Sequence, residues 1–550
     1  MPQNKILCSD PGLVSMNEVS NTQLKAPFGK VLIACLEEQG VEYIFGIPGV
    51  HTVELYRYLG NSTIRHITPR HEQGAGFIAD GYARVSGKPG VCFLITGPGL
   101  TNALTPMAQA RADSIPMVVI STVNPESRGR NDFGRLHELP DQTGLLRKLA
   151  VYHHRMDDPE HLIEVMNEAF NWHRSNRPGP VHIEIPLDVI STQVRKVSLE
   201  AETRTESSSR FEIDGIVEAC QKANNISILA GGGATGSGDL IANLSECLDA
   251  PLITTINARG VGKGSELSVP VSPSLECTRN LLEESDLVIA LGTEFGPTDF
   301  NIYKSLPEIR FKFLIRVDID EIQLTKGPKA DIAVCSDVEE FLKSLLKLLP
   351  TTTRNNGGRE RARQTIEEVK SFLSPEELNY INIIHAIQKE LPDSILVGDS
   401  NQISYAGNLY CHIHRDTGWF NAATGYGALG YSVPAAIGAS LADSSAPLVC
   451  LVGDGGFQFT LAEMGTAVDE KVPVNFVVFN NQGYGEIKNY MINQGIEPIG
   501  VDPSPPDFEH IARAYRIPFA RVRKPNQLIN ILRQPIQDNL PRLIEYVEVA

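Results

Sequence analysis

The stretch "LVGDGGFQFT", Leu451 to Thr460, sets one carboxylate, Asp454, among glycines at the end of an apolar run. A second apolar run, "VNFVVF", ends on Asn480 and Asn481, and Asn481 lies 27 residues beyond Asp454. That spacing holds one crossover helix, "LAEMGTAVDE", and a return strand. In a right-handed βαβ unit both strand ends reach the same edge of the sheet, so Asp454 and Asn481 can converge there. A carboxylate, an amide oxygen and a backbone carbonyl are hard oxygen ligands suited to Mg2+ or Ca2+. Three are too few for a closed cage, so phosphate oxygens and water would complete a Mg2+ shell. Gly453, Gly455 and Gly456 leave backbone N–H groups open to a phosphate at the start of the following helix. Gly-Asp-Gly or Asn-Asn alone is a turn. Together, after two apolar strands at crossover spacing, they point to a metal–diphosphate site.

Such a site needs parallel strands to position it, and the chain supplies them in three blocks. "VEYIFGIPG", "IRHITPRHE", "VCFLITGPG", "PMVVISTV" and "GPVHIEIPLDV" are short apolar runs that end in Gly, Pro or polar residues and alternate with helical patterns. "NISILAGGGATGSG", "PLITTINARG", "SDLVIALGTEF" and "FLIRVDID" repeat the pattern, as do "SILVGDSNQ", "APLVCLVGDGG" and "VNFVVFNNQG". The reading is an α/β protein of three doubly wound parallel-sheet domains. Residues 1–26 form a mobile extension, 27–194 the first domain, 211–350 a Rossmann-like central domain and 376–550 the third. Polar segments 195–210 and 351–375 read as linkers.

With 550 residues, 42% hydrophobic, the chain is a soluble globular protein of a few domains. A formal charge of −17, spread along the chain, argues against nucleic-acid or anionic-membrane binding. Nine Cys without C-x-x-C pairing indicate a reducing compartment, and no apolar run reaches membrane-span length. The N-terminus lacks the pattern of a secretory signal, so a cytoplasmic location is expected.

Gly-Asp-Gly followed after about 25 residues by Asn-Asn resembles the thiamine diphosphate signature. "PRHEQGAGFIADGYARVSGKPGVCFLITGPGLTN" (Pro69 to Asn102) and "TGYGALGYSVPAAIGA" (Thr424 to Ala439) are similar to segments of the acetolactate synthase and 2-keto acid decarboxylase family. The resemblance runs over nearly the whole chain after the extension, and it makes the first domain pyrimidine-binding and the third diphosphate-binding. It implies that Asp454, Asn481 and the carbonyl of Gly483 bind Mg2+. It implies too that Glu72 shares a proton with the aminopyrimidine ring, a charge-assisted bond worth roughly 1.5–3 kcal/mol. Leu429 matches the apolar wedge that folds the coenzyme, with the Gly427 carbonyl taking the amine, and Ser400, Asn401 and Gln402 match the loop gripping the diphosphate. After a 2-keto acid adds to the coenzyme and loses CO2, the enamine is either protonated to an aldehyde or attacks a second carbonyl.

Neighbouring acids decide that outcome. In "GRLHELPDQ", His137 and Glu138 stand where acetolactate synthases carry Phe-Gln, offering an acid donor and a fixed carboxylate. Glu486 in "NNQGYGEIK" is one residue from the position of a glutamate in pyruvate decarboxylases, and His51 in "GIPGVH" is a weaker candidate. "FGIPGVHTVELYR", "LHELPDQ", "GTEFGPTDF" and "HIHRDTGWFNAATGYGALGY" resemble decarboxylases of 5-guanidino-2-oxopentanoate (2-ketoarginine). A guanidinium substrate would want a carboxylate, and Glu138, Asp141 and Glu486 are available. The expected reaction is decarboxylation of this small 2-keto acid to 4-guanidinobutanal and CO2, in arginine catabolism.

Two alternatives stand beside it: a carboligase of the acetolactate synthase type, and a nucleotide- or flavin-binding Rossmann protein. For the latter, Gly231, Gly233 and Gly236 form G-x-G-x-x-G after a strand, yet the next strand ends in Asn257 and Arg259 rather than an acid. FAD is therefore possible but not expected. Retention of Glu72, Asp454 and Asn481 together argues against an inactive scaffold. In the family the site lies between the first domain of one subunit and the third of another, which implies a homodimer at minimum and an expected homotetramer.

Overall fold

Met117–Val123 and Leu448–Val452 are buried at every residue, as strands must be when helices cover both faces of a parallel sheet. The chain is known from a computed structural model that describes residues 25–125, 134–195, 213–301, 308–350 and 353–548. Three six-stranded sheets result, parallel throughout. The first runs Arg65–Ile67, Tyr43–Gly46, Gly90–Leu94, Met117–Val123, Pro180–Pro186, Tyr152–Arg155 in space. The third runs Trp419–Asn421, Ile395–Gly398, Leu448–Gly453, Val474–Asn480, Arg542–Val547, Phe519–Val522. Counted along the chain, both follow the order 2-1-3-4-6-5, so these two domains share one architecture. The central sheet differs. Its order is 3-2-1-4-5-6, with Ile226–Ala230 as strand 1, the order of dinucleotide-binding folds.

The third domain is the hub. One hydrophobic core joins its residues Tyr431, Val433 and Ile437 to Phe77, Ile78 and Tyr82 of the first domain. A second joins Leu396 and Trp419 to Leu229 and Val269 of the central one. The contact with the first domain is made by helices Glu72–Ser86 and Ser432–Ala442. Helix 72–86 starts at His71, whose ring Nδ1 accepts from the Gln73 amide at 3.1 Å, and stops at Gly87 with φ +70°. Its residues 74–83 are all buried, which small side chains permit. The two backbones meet at glycines: a Cβ on Gly438 would overlap the Ile78 carbonyl oxygen, and one on Gly81 the Ala435 carbonyl.

Several expectations change. Segment 351–375 is not only a linker: it carries helix Gly358–Val369, with Ala362 and Val369 fully buried. Of the N-terminal extension, residues 25 and 26 belong to strand Lys25–Pro27, which pairs with Gln193–Arg195; residues 1–24 lie outside the described residues, as do 196–210 of the first linker. The crossover helix begins earlier than expected, because Asp454 itself opens helix Asp454–Thr460. Among the described residues, no helix is long and apolar enough to cross a membrane.

The helix crossing yields a stability contrast. Gly438→Ala drives a methyl group into backbone and should destabilise by about 1–3 kcal/mol. Gly215→Ala, in a helix with open space around it, should be neutral or stabilising by up to about 1 kcal/mol. Urea unfolding of both variants checks the pair.

Candidate active site

In both outer sheets the strand order reverses between strands 1 and 3, where α/β folds leave a crevice for ligands. In the third domain that crevice lies beyond Gly398 and Gly453, so Asp399, Ser400 and Asp454 all stand at its rim. Asp454 is 2% exposed, and its Oδ2 is buried with no hydrogen-bond partner. The amide end of Asn481 lies 3.1 Å from Asp454 Oδ1 and 2.8 Å from the Gly483 carbonyl oxygen. With nitrogen in that place, the amide donates to both. Turned the other way, the amide would bring a third oxygen to the carboxylate and the carbonyl, an arrangement that a cation would stabilise. An orphaned carboxylate oxygen beside an amide and a carbonyl is a donor set that fits Mg2+. No cluster of three His, Cys, Asp or Glu fit to hold a metal occurs among the described residues.

Burial pushes the Asp454 carboxyl above its ordinary 3.8, against the pull of the backbone N–H groups of Asn481, Asp454, Gly455 and Gly483. Gly455 lies under Tyr484, whose ring would meet an added Cβ at 2.6 Å, and Gly456 packs on the Asp399 carboxylate. Asn401 caps helix Gln402–Leu409, accepting from Ser404 N at 3.0 Å, and donates to the Leu451 carbonyl at 2.9 Å. The Gln402 amide donates to Glu486 at the exposed start of helix Gly485–Asn493. Leu429 is half-buried between Gly427 (φ +75°) and Gly430 (φ +75°), in a turn that only glycines could close this way.

Two positioning carboxylates escaped the sequence reading. Asp399, wholly buried, accepts from Ser400 N at 2.9 Å, Gly430 N at 3.3 Å and Ser432 N at 3.0 Å, tying the Leu429 turn to the strand end. Glu463 of the third domain accepts from Arg70 N and His71 N, both at 3.0 Å, and so fixes the start of the helix that carries Glu72. Only an unassigned acid in the stretch beyond Asp454 could have hinted at Glu463.

Glu72 accepts from Asn102 Nδ2 at 2.9 Å, and its other oxygen faces the Gly99 turn. Among the described residues, Glu72 and Asp454 have no side-chain hydrogen-bond partner in common. On the far side of the turn sits His137, at φ +61°, its carbonyl against Gly97. Its ring lies edge-to-face on His51, with centroids 5.1 Å apart. His51, the weaker candidate on sequence, is thus brought beside His137. Glu138 accepts from Arg135 N at 2.9 Å, and Asp141 caps helix Gln142–Arg147.

The G-x-G-x-x-G glycines Gly233 and Gly236 line a cavity of about 520 Å3 between the central and first domains. Its walls include Asp299, which burial pushes up to about 6, Asp318 and Asp337. Arg259 is turned into the interior, donating to Thr254 and the Asn408 carbonyl.

Family models match three stretches. They are the thiamine pyrophosphate enzyme N-terminal TPP-binding domain over residues 27–145, the central domain over 213–345 and the C-terminal TPP-binding domain over 399–546. A Pseudomonas aeruginosa protein described as "Probable 2-ketoarginine decarboxylase AruI" is 39% identical, over 92% of this chain and 90% of its own. Acetolactate synthase isozyme 1 large subunit of Escherichia coli is 31% identical over 85% and 84%, and a "Probable acetolactate synthase large subunit" of Methanococcus aeolicus 29% over 94% and 91%.

Because the folded pKa of Asp454 lies above the unfolded one, its stabilising contribution is complete below 3.8 and lost as pH rises through the folded value. Asp454→Asn should therefore leave the Mg2+-free protein as stable as wild type or more stable at pH 7, and abolish any rise in Tm on adding millimolar Mg2+. Thermal melts with and without the cation check both arms.

Proposed function

The chain belongs to the thiamine pyrophosphate enzyme family, and from that premise we propose that it decarboxylates a 2-keto acid to an aldehyde, with 5-guanidino-2-oxopentanoate as substrate. The observation that carries the reading is the convergence of the Asp454 carboxylate, the Asn481 amide and the Gly483 carbonyl at the switch point of the third sheet. The substrate rests on the 39% identity to the protein described as a 2-ketoarginine decarboxylase and on acids near both halves of the site.

Thiamine diphosphate, when bound, supplies the sink for the electron pair left by departing CO2. Asp454, Asn481 and Gly483 would hold a Mg2+ that would offset the charge of its diphosphate, with Ser400 and Gln402 beside it. Glu72, oriented by Asn102, turns its other oxygen toward the Gly99 turn, where it would take part in proton exchange with the aminopyrimidine. Leu429 gives the coenzyme an apolar support held in place by Asp399. Glu138 and Glu486 are the carboxylates that would face a guanidinium.

The site is completed by a second copy of the chain, and a homodimer is the working unit. Among the described residues, Glu72 and Asp454 share no side-chain hydrogen-bond partner. Helix Gly485–Asn493 buries none of its residues, Ile499 beyond it is 80% exposed, and Val50 and Leu136 are exposed beside His51 and His137. These are two apolar faces left exposed on the single chain.

Incubation with a panel of 2-keto acids, thiamine diphosphate and Mg2+ tests the reaction. Ketoarginine should release CO2 fastest and give the aldehyde; acetolactate from pyruvate as the main product would make the protein a carboligase. Glu138→Gln should lower kcat/KM for ketoarginine about 10- to 100-fold, the worth of one charge-assisted bond, while changing an uncharged keto acid only a few-fold. Mixing inactive Glu72→Gln and Asp454→Asn proteins should restore on the order of a quarter of wild-type activity, from heterodimers with one intact site. No recovery after subunit exchange would place the whole site within one chain.

A further inference from the structure

Gln142, the first residue of helix Gln142–Arg147, is 3% exposed and hydrogen-bonds to none of the side chains assigned to the reaction. Its amide reaches the ends of strands Met117–Val123 and Pro180–Pro186. The nitrogen donates to the Thr122 carbonyl at 3.0 Å and to the wholly buried Glu184 carboxylate at 2.8 Å. A carbonyl and a carboxylate accept, so together they hold the nitrogen on that side of the amide. The oxygen is thereby aimed at Gly97, whose buried N–H donates to it at 3.0 Å.

Gly97 is where the path to Glu72 begins. It has φ +67° and ψ −106°, a conformation open to glycine, and a Cβ there would meet the His137 carbonyl oxygen at 2.3 Å. Without the Gln142 oxygen its N–H would be buried and unpaired, a cost that shifting the turn would relieve. Gly97 precedes and caps the five-residue helix Pro98–Asn102, and its carbonyl accepts from Thr101 N at 2.9 Å. Gly99 in that helix packs against the Glu72 carboxylate, and Asn102 at its end donates to Glu72 at 2.9 Å. Thr96, just before Gly97, is bound to the Thr122 hydroxyl at 2.9 Å, so turn and amide are fastened to the same strand end.

We propose that Gln142 is a positioning residue for Glu72. Through Gly97 it sets the place of helix Pro98–Asn102, and through Asn102 and Gly99 that helix sets the carboxylate offered to the coenzyme. This rests on the thiamine diphosphate function proposed for the chain. The effect falls on Glu72 rather than on the loop that carries His137 and Glu138, because that loop has fastenings of its own. Asn124 Nδ2 donates to the Leu136 carbonyl at 3.1 Å, Glu138 accepts from Arg135 N at 2.9 Å, and Asp141 accepts from Gly144 N at 2.7 Å. Loss of the Gln142 amide leaves all three in place and frees only the Gly97 turn.

The test is Gln142→Met, which keeps length and bulk but removes the amide. In the coenzyme-free protein, hydrogen-exchange mass spectrometry should show peptides over residues 95–102 exchanging about tenfold faster, with strand Ile226–Ala230 unchanged. In the full enzyme with thiamine diphosphate, Mg2+ and ketoarginine, kcat should fall about 10- to 100-fold while KM stays within a few-fold. Exchange of the coenzyme C2 proton for deuterium should slow at least as much as kcat. Combined with Asn102→Ala, the loss should be smaller than the product of the two single losses, because both act on one carboxylate. Unchanged exchange over 95–102, a kcat within a few-fold of wild type, or losses that multiply in full overturns the proposal. Gln142→Asn, too short to span Gly97 and Glu184, carries the same expectations if the Met variant does not fold. Failure of wild type to decarboxylate any 2-keto acid would overturn the underlying function instead, and exchange over 95–102 would still decide whether Gln142 holds the turn.

Discussion

The Arg84 guanidinium is buried between two carboxylates, Asp80 at 2.7 Å and Asp113 at 2.6 Å, and the arrangement of all three domains depends on it. Its third nitrogen reaches Asn257 of the central domain at 3.3 Å. Its faces lie over the rings of Phe420 and Tyr431 of the third domain. Tyr431 donates to Asp80 at 2.5 Å, and Thr424 donates to Asp113 at 2.9 Å. A buried cation is tolerable only if every partner is in place, and losing one leaves an uncompensated charge. The three domains are therefore held in one relative position, because each contributes a group this cation needs.

That position matters for chemistry because the same network reaches the turn that carries Leu429. Gln109 donates to Asp113 and Thr424 and accepts from Ala428 N at 3.1 Å, one residue before Leu429. The turn is gripped from the first domain by Gln109 and from its own domain by Asp399. Glu463 returns the favour, reaching from the third domain to the backbone ahead of Glu72. Each domain thus orients a functional segment of the other, and the shared 2-1-3-4-6-5 order makes the exchange nearly symmetrical.

The parts of this arrangement legible in the sequence were those fixed by short-range rules. Asp454 and Asn481 could be paired because one βαβ unit dictates where both strand ends go. The central strands could be found because burial on both faces leaves continuous apolar runs. Tyr152–Arg155 and Trp419–Asn421 were not foreseen: they are short edge strands of three or four residues, too brief for a pattern. Helix Gly358–Val369 was hidden by its charges, with only Gly358, Ala362, Thr365 and Val369 buried. Asp399, Glu463 and the approach of His51 to His137 depend on contacts between distant segments, and no local spacing encodes them.

Charge closes the argument about the metal. Side chains gathered at the third sheet's switch point are acidic or neutral: Asp399, Asp454, Asn401, Asn481 and, across from Gln402, Glu486. The chain as a whole carries −17, so its long-range field does not draw in an anion either. A diphosphate brought to this edge would meet a buried carboxylate that already resists ionisation. A divalent cation would reverse that balance, since it would satisfy the orphaned Asp454 oxygen and present positive charge to the phosphates. The acid that makes the edge hostile to a bare diphosphate is the one that would make a metal-bound edge fit it.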